Sequence, residues 1–182
     1  MKSLFKRLFQ GNAEGASMSY DQAKEMARDK AEDVRLELAS RADVEPEILY
    51  FLTDDPSPEV RRRIASNKAT PVQADLVLAK DTDEDVRGDL AGKIALLAPG
   101  LSAAEQDTMR RMAYEALDVL ARDQVTRVRQ ILSEALKDIA DAPPDVIRRL
   151  ASDVELVVAG PVLQFSPVLT QDDLLEIIEN NS

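Results

Sequence analysis

One phrase of apolar and polar positions returns five times along the chain. A large apolar residue is followed three positions on by an aspartate, five further on by a valine, and four further on by another apolar residue. It reads Met26, Asp29, Val34, Leu38; then Leu52, Asp55, Val60, Ile64; Leu78, Asp81, Val86, Leu90; Leu120, Asp123, Val128, Leu132; and Leu150, Asp153, Val158, Val162. In the first four an arginine stands directly after the valine (Arg35, Arg61, Arg87, Arg129), and the fifth has Ala159. Successive valines stand 26, 26, 42 and 30 residues apart. A phrase that keeps its inner spacing while the rest stretches is the piece that packs the same way each time.

Around each phrase the period is helical. Leu52 with Ile48 and Leu49, and Leu78 with Ala74 and Val77, make apolar stripes on helices that end at the phrase. Val60 with Ile64, and Val86 with Leu90, start stripes on helices that begin there. Pro46, Pro71 and the pair Pro143 and Pro144 fall where the second helix of a unit begins, where proline costs no needed donor. Ser19 with Gln22, and Ser102 with Glu105, have capping-box spacing. Helix pairs this short cannot hide their own apolar faces, so neighbours must stack into a continuous core. The expected fold is therefore all-α: a right-handed α-solenoid of about five short helix pairs over residues 20–182.

The third unit, about 84–122, is longer by sixteen residues and should hold a protruding or bent segment ahead of a helix from about Ser102 to Arg122. Residues 1–19 form a separate region. "MKSLFKRLFQ" sets Leu4, Phe5, Leu8 and Phe9 against Lys2, Lys6 and Arg7, and a Gly, Ser and Asn-containing connector follows. At the other end, Leu174, Leu175, Ile177 and Ile178 lie on a helix in "SPVLTQDDLLEIIENNS".

Composition narrows the chemistry. The chain has 182 residues, 45% apolar and 31% charged, enough for one compact array. It contains no histidine and no cysteine, which removes the usual zinc and iron–sulfur ligands, the His-based nucleophile systems and any disulfide framework. No enzymatic activity, cofactor or metal is expected. With 34 acidic against 23 basic residues, the net charge of −11 works against polyanion binding. "DTDEDVRG" alternates acids at Asp81, Asp83 and Asp85, but a calcium loop would need glycine at Val86 and glutamate at Gly92. No run reaches the roughly 20 apolar residues of a membrane span, and no secretory leader is evident, so the cytoplasm is the default location.

The phrase Leu52-Thr-Asp-Asp55 with Val60-Arg61, and Leu78-Ala-Lys-Asp81 with Val86-Arg87, resembles the HEAT-repeat signature. "DDPSPEVRRRIASNKATP" is closer to the leucine-rich repeat variant, and residues 20–180 are similar to a family of uncharacterised alphaproteobacterial HEAT-like proteins of no assigned activity. The iron–sulfur module of the leucine-rich repeat variant does not carry over to a chain without cysteine. The resemblance implies that Asp29, Asp55, Asp81, Asp123 and Asp153 with Arg35, Arg61, Arg87 and Arg129 form a structural ladder across stacked units. The rival reading of these arginines is a phosphate-binding stripe.

Function then falls to surfaces. Two residues before each apolar anchor stand Lys24, Tyr50, Leu76, Asp118 and Arg148, facing away from the stacking seam. Tyr50, Leu76 and Arg148 are candidate contacts for an unknown protein partner, since solenoids bind along the surface their second helices line. The leading expectation is a non-enzymatic protein–protein interaction module or scaffold. The alternatives are a nucleic-acid-binding solenoid, against which the net charge of −11 stands, and self-assembly through the C-terminal helix. Residues 1–10 could touch a membrane surface weakly or lie in a partner's groove.

Overall fold

The computed structural model describes residues 18–97 and 108–180. The amphipathic segment 1–10, the Ser102–Glu105 capping box and the lengthened part of the third unit lie outside these residues. All described secondary structure is helical, with no strand.

Among the described residues eleven helices follow in order: α1 (Tyr20–Met26), α2 (Glu32–Ala39), α3 (Pro46–Phe51), α4 (Pro58–Ser66), α5 (Val72–Leu78), α6 (Glu84–Ile94), α7 (Thr108–Ala121), α8 (Thr126–Leu136), α9 (Pro144–Ala151), α10 (Leu156–Phe165) and α11 (Gln171–Asn180). Short 3-10 turns at Leu52–Asp54 and Ala95–Leu97 continue α3 and α6. Helices of six to fourteen residues are marginal alone in water, and packing must supply their stability.

That packing runs in two rows. The helices that open on a junction valine touch one another in sequence, α2 on α4, α4 on α6, α6 on α8 and α8 on α10. The second helices do the same, with α3 on α5, α5 on α7 and α7 on α9. The core lies between the rows. Leu38, Ile64, Leu90, Leu132 and Val162 are fully buried there, as are Leu78, Leu120 and Leu150 from the facing side. Each such side chain contributes on the order of 1.5–3 kcal/mol by leaving water.

Local chemistry sets the helix starts. Ser19 and Gln22 cap α1 reciprocally. Ser57 accepts from Val60 N–H with Pro58 in the first turn of α4, and Asp83 accepts from the backbone of Asp85 and Val86 at the head of α6. Pro46 and Pro144 occupy first-turn positions of α3 and α9, and Pro71 stands at the residue before α5 without a side-chain cap. Thr170 and Asp173 bond each other's backbone at the start of α11.

One stripe differs from its sequence pattern. Val77, expected to pack beside Ala74 and Leu78, is exposed, and Asp75 is buried instead. Helical spacing puts residues 75 and 78 on one face, and the charge of Lys93 makes an aspartate tolerable there.

Candidate functional site

The junctions are built alike. At each one the aspartate carboxylate accepts the backbone N–H two residues on: Ala31 at 2.8 Å, Ser57 at 2.9 Å, Asp83 at 2.8 Å, Val125 at 2.9 Å and Glu155 at 2.9 Å. This closes an Asx turn that leads into the following helix. The arginine after the valine then folds back, and its Nη1 donates to the carbonyl of its own junction aspartate, at 2.9 Å for Arg35, 2.8 Å for Arg61 and Arg87, and 2.7 Å for Arg129.

The other edge of each guanidinium points forward. Arg35 donates through Nε and Nη2 to Asp55 at 2.6 and 3.1 Å, and Arg61 to Asp81 at 2.7 and 3.1 Å. Arg87 reaches Asp123 at 2.5 and 3.1 Å, and Arg129 reaches Asp153 at 2.6 and 3.1 Å. Four two-pronged pairs thus link each unit to the next, a geometry that only arginine's planar fork supplies. Asp29 at the front caps its own turn and receives Arg35 at its carbonyl, with no ion pair among the described residues.

The electrostatics follow. Hydrogen bonding to the aspartates holds the four arginines above the ordinary guanidinium value, against burial, which pulls the other way. Burial pushes the Asp153 carboxyl up, but the Arg129 hydrogen bond, the Glu155 N–H and the Arg129 charge together bring it below the ordinary carboxylate value. With side chains only 11–14% exposed and both edges engaged, these arginines are not presented to an outside phosphate. The acids of the calcium-like stretch are likewise occupied: Asp81 by Arg61, Asp83 as a helix cap, and Asp85 facing Arg127 at 3.7 Å.

The second-helix candidates separate. Tyr50 is exposed, Leu76 is half-buried against the core, and Arg148 is exposed near Asp145 and Asp173 at 3.4 and 3.6 Å. Lys24 is exposed, and Asp118 accepts from Arg122 and faces Arg149. Phe51, next to Tyr50, is 52% exposed, and Val77 holds the equivalent place on the neighbouring α5. Sequence reasoning passed over Phe51, although its place, one before the anchor, sits off the buried stripe of Ile48, Leu49 and Leu52.

Two further polar contacts were not foreseen. Lys93 on α6 and Asp75 on α5 form a buried ion pair, with Lys93 also donating to the Asn67 carbonyl at 3.4 Å. Asp75 Oδ2 has no hydrogen-bond partner among the described residues. Burial pushes the Asp75 carboxyl up and the Lys93 ammonium down, each against the pull of the other's charge. Asn67 donates to the Ala39 and Arg41 carbonyls of the preceding unit at 2.9 and 2.8 Å and accepts from Ala69 N–H. The usable signal was an amide residue at a helix end four positions ahead of Pro71.

Among the described residues no group of three or more acids could hold a metal ion, and no helix is long and apolar enough to cross a membrane. The chain matches no family model, no curated protein and no solved structure.

Proposed function

We propose that the protein is a HEAT-like α-solenoid that acts as an interaction module, holding a protein segment against the surface of its second helices. The observation that carries this reading is the pair Tyr50 and Phe51 on α3, 45% and 52% exposed, on a helix whose other apolar residues are buried. Aromatic side chains offer large contact area at low entropic cost, and two side by side on a rigid helix are suited to anchoring a partner. Val77 on α5 extends the apolar surface beyond α3. Arg148 adds a charged contact further along the same row, in the manner of a polar rim.

A nucleic-acid interface is disfavoured by the same geometry that builds the stack. The repeating arginines are consumed within the protein, and the chain's net charge of −11 opposes a polyanion.

The test compares the full chain with a Tyr50→Ala/Phe51→Ala variant in capture from the native cell extract, with far-UV circular dichroism as the control. Bound protein lost with helicity unchanged supports the reading. Identical capture by both proteins removes this face from consideration.

A further inference from the structure

The last helix of the first row differs from its four predecessors on the side turned toward the next place in the stack. Five residues after the junction valine, Ala39, Ala65, Ala91 and Ser133 are fully buried, and Ser133 shows why: its hydroxyl donates at 2.6 Å to the Val158 carbonyl of the following helix. This position is the seam to the next helix. In α10 it is Leu163, 36% exposed.

Other outward positions change with it. Directly before the valine, Asp33, Glu59, Asp85 and Arg127 carry charge, whereas α10 has Val157. One residue earlier stands Leu156, 78% exposed, and Val154 just ahead of the helix is 90% exposed. The ten residues of α10, "LVVAGPVLQF", contain no charged side chain. A helix apolar around its circumference is normally covered on all sides, yet α10 buries mainly Val158, Ala159 and Val162.

The junction arginine bears on what could cover it. Each arginine leaves the forward face of one unit and needs an aspartate on the rear face of the next, so it serves head-to-tail contacts. A head-to-tail neighbour would bring its Asp29, which has no ion pair among the described residues, to position 159; that position holds alanine. In a contact between two like faces no aspartate arrives, and two arginines would be left facing each other. Ala159 removes that conflict. We propose that α10 is a dimerisation helix whose outer face packs on the same face of a second copy about a two-fold axis, continuing the first-helix row across the axis. The contact is apolar while each copy carries a net charge of −11, so salt screens the repulsion between the copies and tightens the dimer.

Light scattering and sedimentation of the full chain over a dilution series test this. The mass should rise to a plateau at two copies, and the midpoint should move to lower protein concentration on going from low to high salt. A Leu156→Glu/Leu163→Glu variant should remain one copy with unchanged helicity, and removing residues 1–10 should leave the dimer intact. If the double variant loses helicity, Leu156→Lys alone, at the more exposed position, gives the same reading. A single copy at every concentration, growth beyond two copies, or a dimer indifferent to the α10 changes overturns the proposal. So does association that salt weakens or that disappears with residues 1–10, because either result assigns the face to the basic N-terminal segment.

Discussion

Arg87 reaches Asp123 across 36 residues with the bonding that Arg35 uses to reach Asp55 across 20, Nε and Nη2 on the two carboxylate oxygens and Nη1 on the carbonyl of its own junction aspartate. The added residues of the third unit therefore leave the junction geometry unchanged. Replacing Arg87 by alanine strands the Asp123 carboxylate, 5% exposed, and frees the Asp81 carbonyl. The expected loss is about 2–4 kcal/mol in urea unfolding. Lysine at 87 should recover only part of it, because a point charge cannot make both bonds to the carboxylate and a third to the carbonyl. Arg127→Ala, which breaks only an exposed contact to Asp85 at 3.7 Å, should change stability by less than about 0.5 kcal/mol.

The junctions were legible because they combine a period with a fixed polar spacing. An apolar residue, an aspartate and a valine at constant intervals fix a helix end, a turn and a helix start, and the five valines and their partners four residues on are all buried. The register of the arginines was less legible: proximity in sequence couples Arg61 to Asp55, but the carboxylate it meets is Asp81, and only the Asp55 carbonyl receives it. Asp75 was beyond reach, since an aspartate on a short helix reads as solvated until Lys93, eighteen residues on, is seen against it. Leu76 and Val77 exchanged expected surroundings for a related reason. On a seven-residue helix a small rotation decides which flank of the stripe meets a neighbour.

Lys93 and Asp75 make a prediction that depends on the order of removal. Lys93→Met alone leaves a fully buried carboxylate with no cation, and should cost about 3–5 kcal/mol. Asp75→Leu together with Lys93→Met removes both desolvation penalties and the unpartnered Asp75 Oδ2, so the double variant should lie near or above the parent protein. A double-mutant cycle by thermal or urea unfolding checks this. A double variant as unstable as Lys93→Met alone would show that the pair is not the source of the cost.

Gly88 and Gly92 lie one turn apart in α6 and should respond oppositely to alanine. A Cβ on Gly92 meets Ile131 Cγ2 at 3.9 Å, an ordinary contact, so Gly92→Ala gains helix propensity and should add about 0.5–1 kcal/mol. A Cβ on Gly88 meets Ile131 Cδ1 at 3.2 Å, and the Ile131 side chain must shift to admit it. Gly88→Ala should therefore gain less than Gly92→Ala or lose stability. Gly88→Val, which adds two methyl groups at the same place, should lose about 1–3 kcal/mol. Urea midpoints for the three variants order the effects.

The pairing of Arg129 with Asp153 sets a dependence on acid. The Asp153 carboxyl sits below the ordinary value in the folded chain, so the unfolded chain takes up its proton first as pH falls. Its contribution to stability is then fully present above the unfolded carboxylate value of about 4 and is lost progressively as pH drops through the folded one. Asp153→Asn keeps an oxygen able to accept the Glu155 N–H, now bonded at 2.9 Å, but discards the charge facing Arg129. The difference in unfolding free energy between parent and variant should be constant from pH 7 to about 5, then narrow toward pH 3. A difference that stays constant over the whole range would mean that Arg129 gains nothing from the charge of Asp153, and that the pair holds through hydrogen-bond geometry alone.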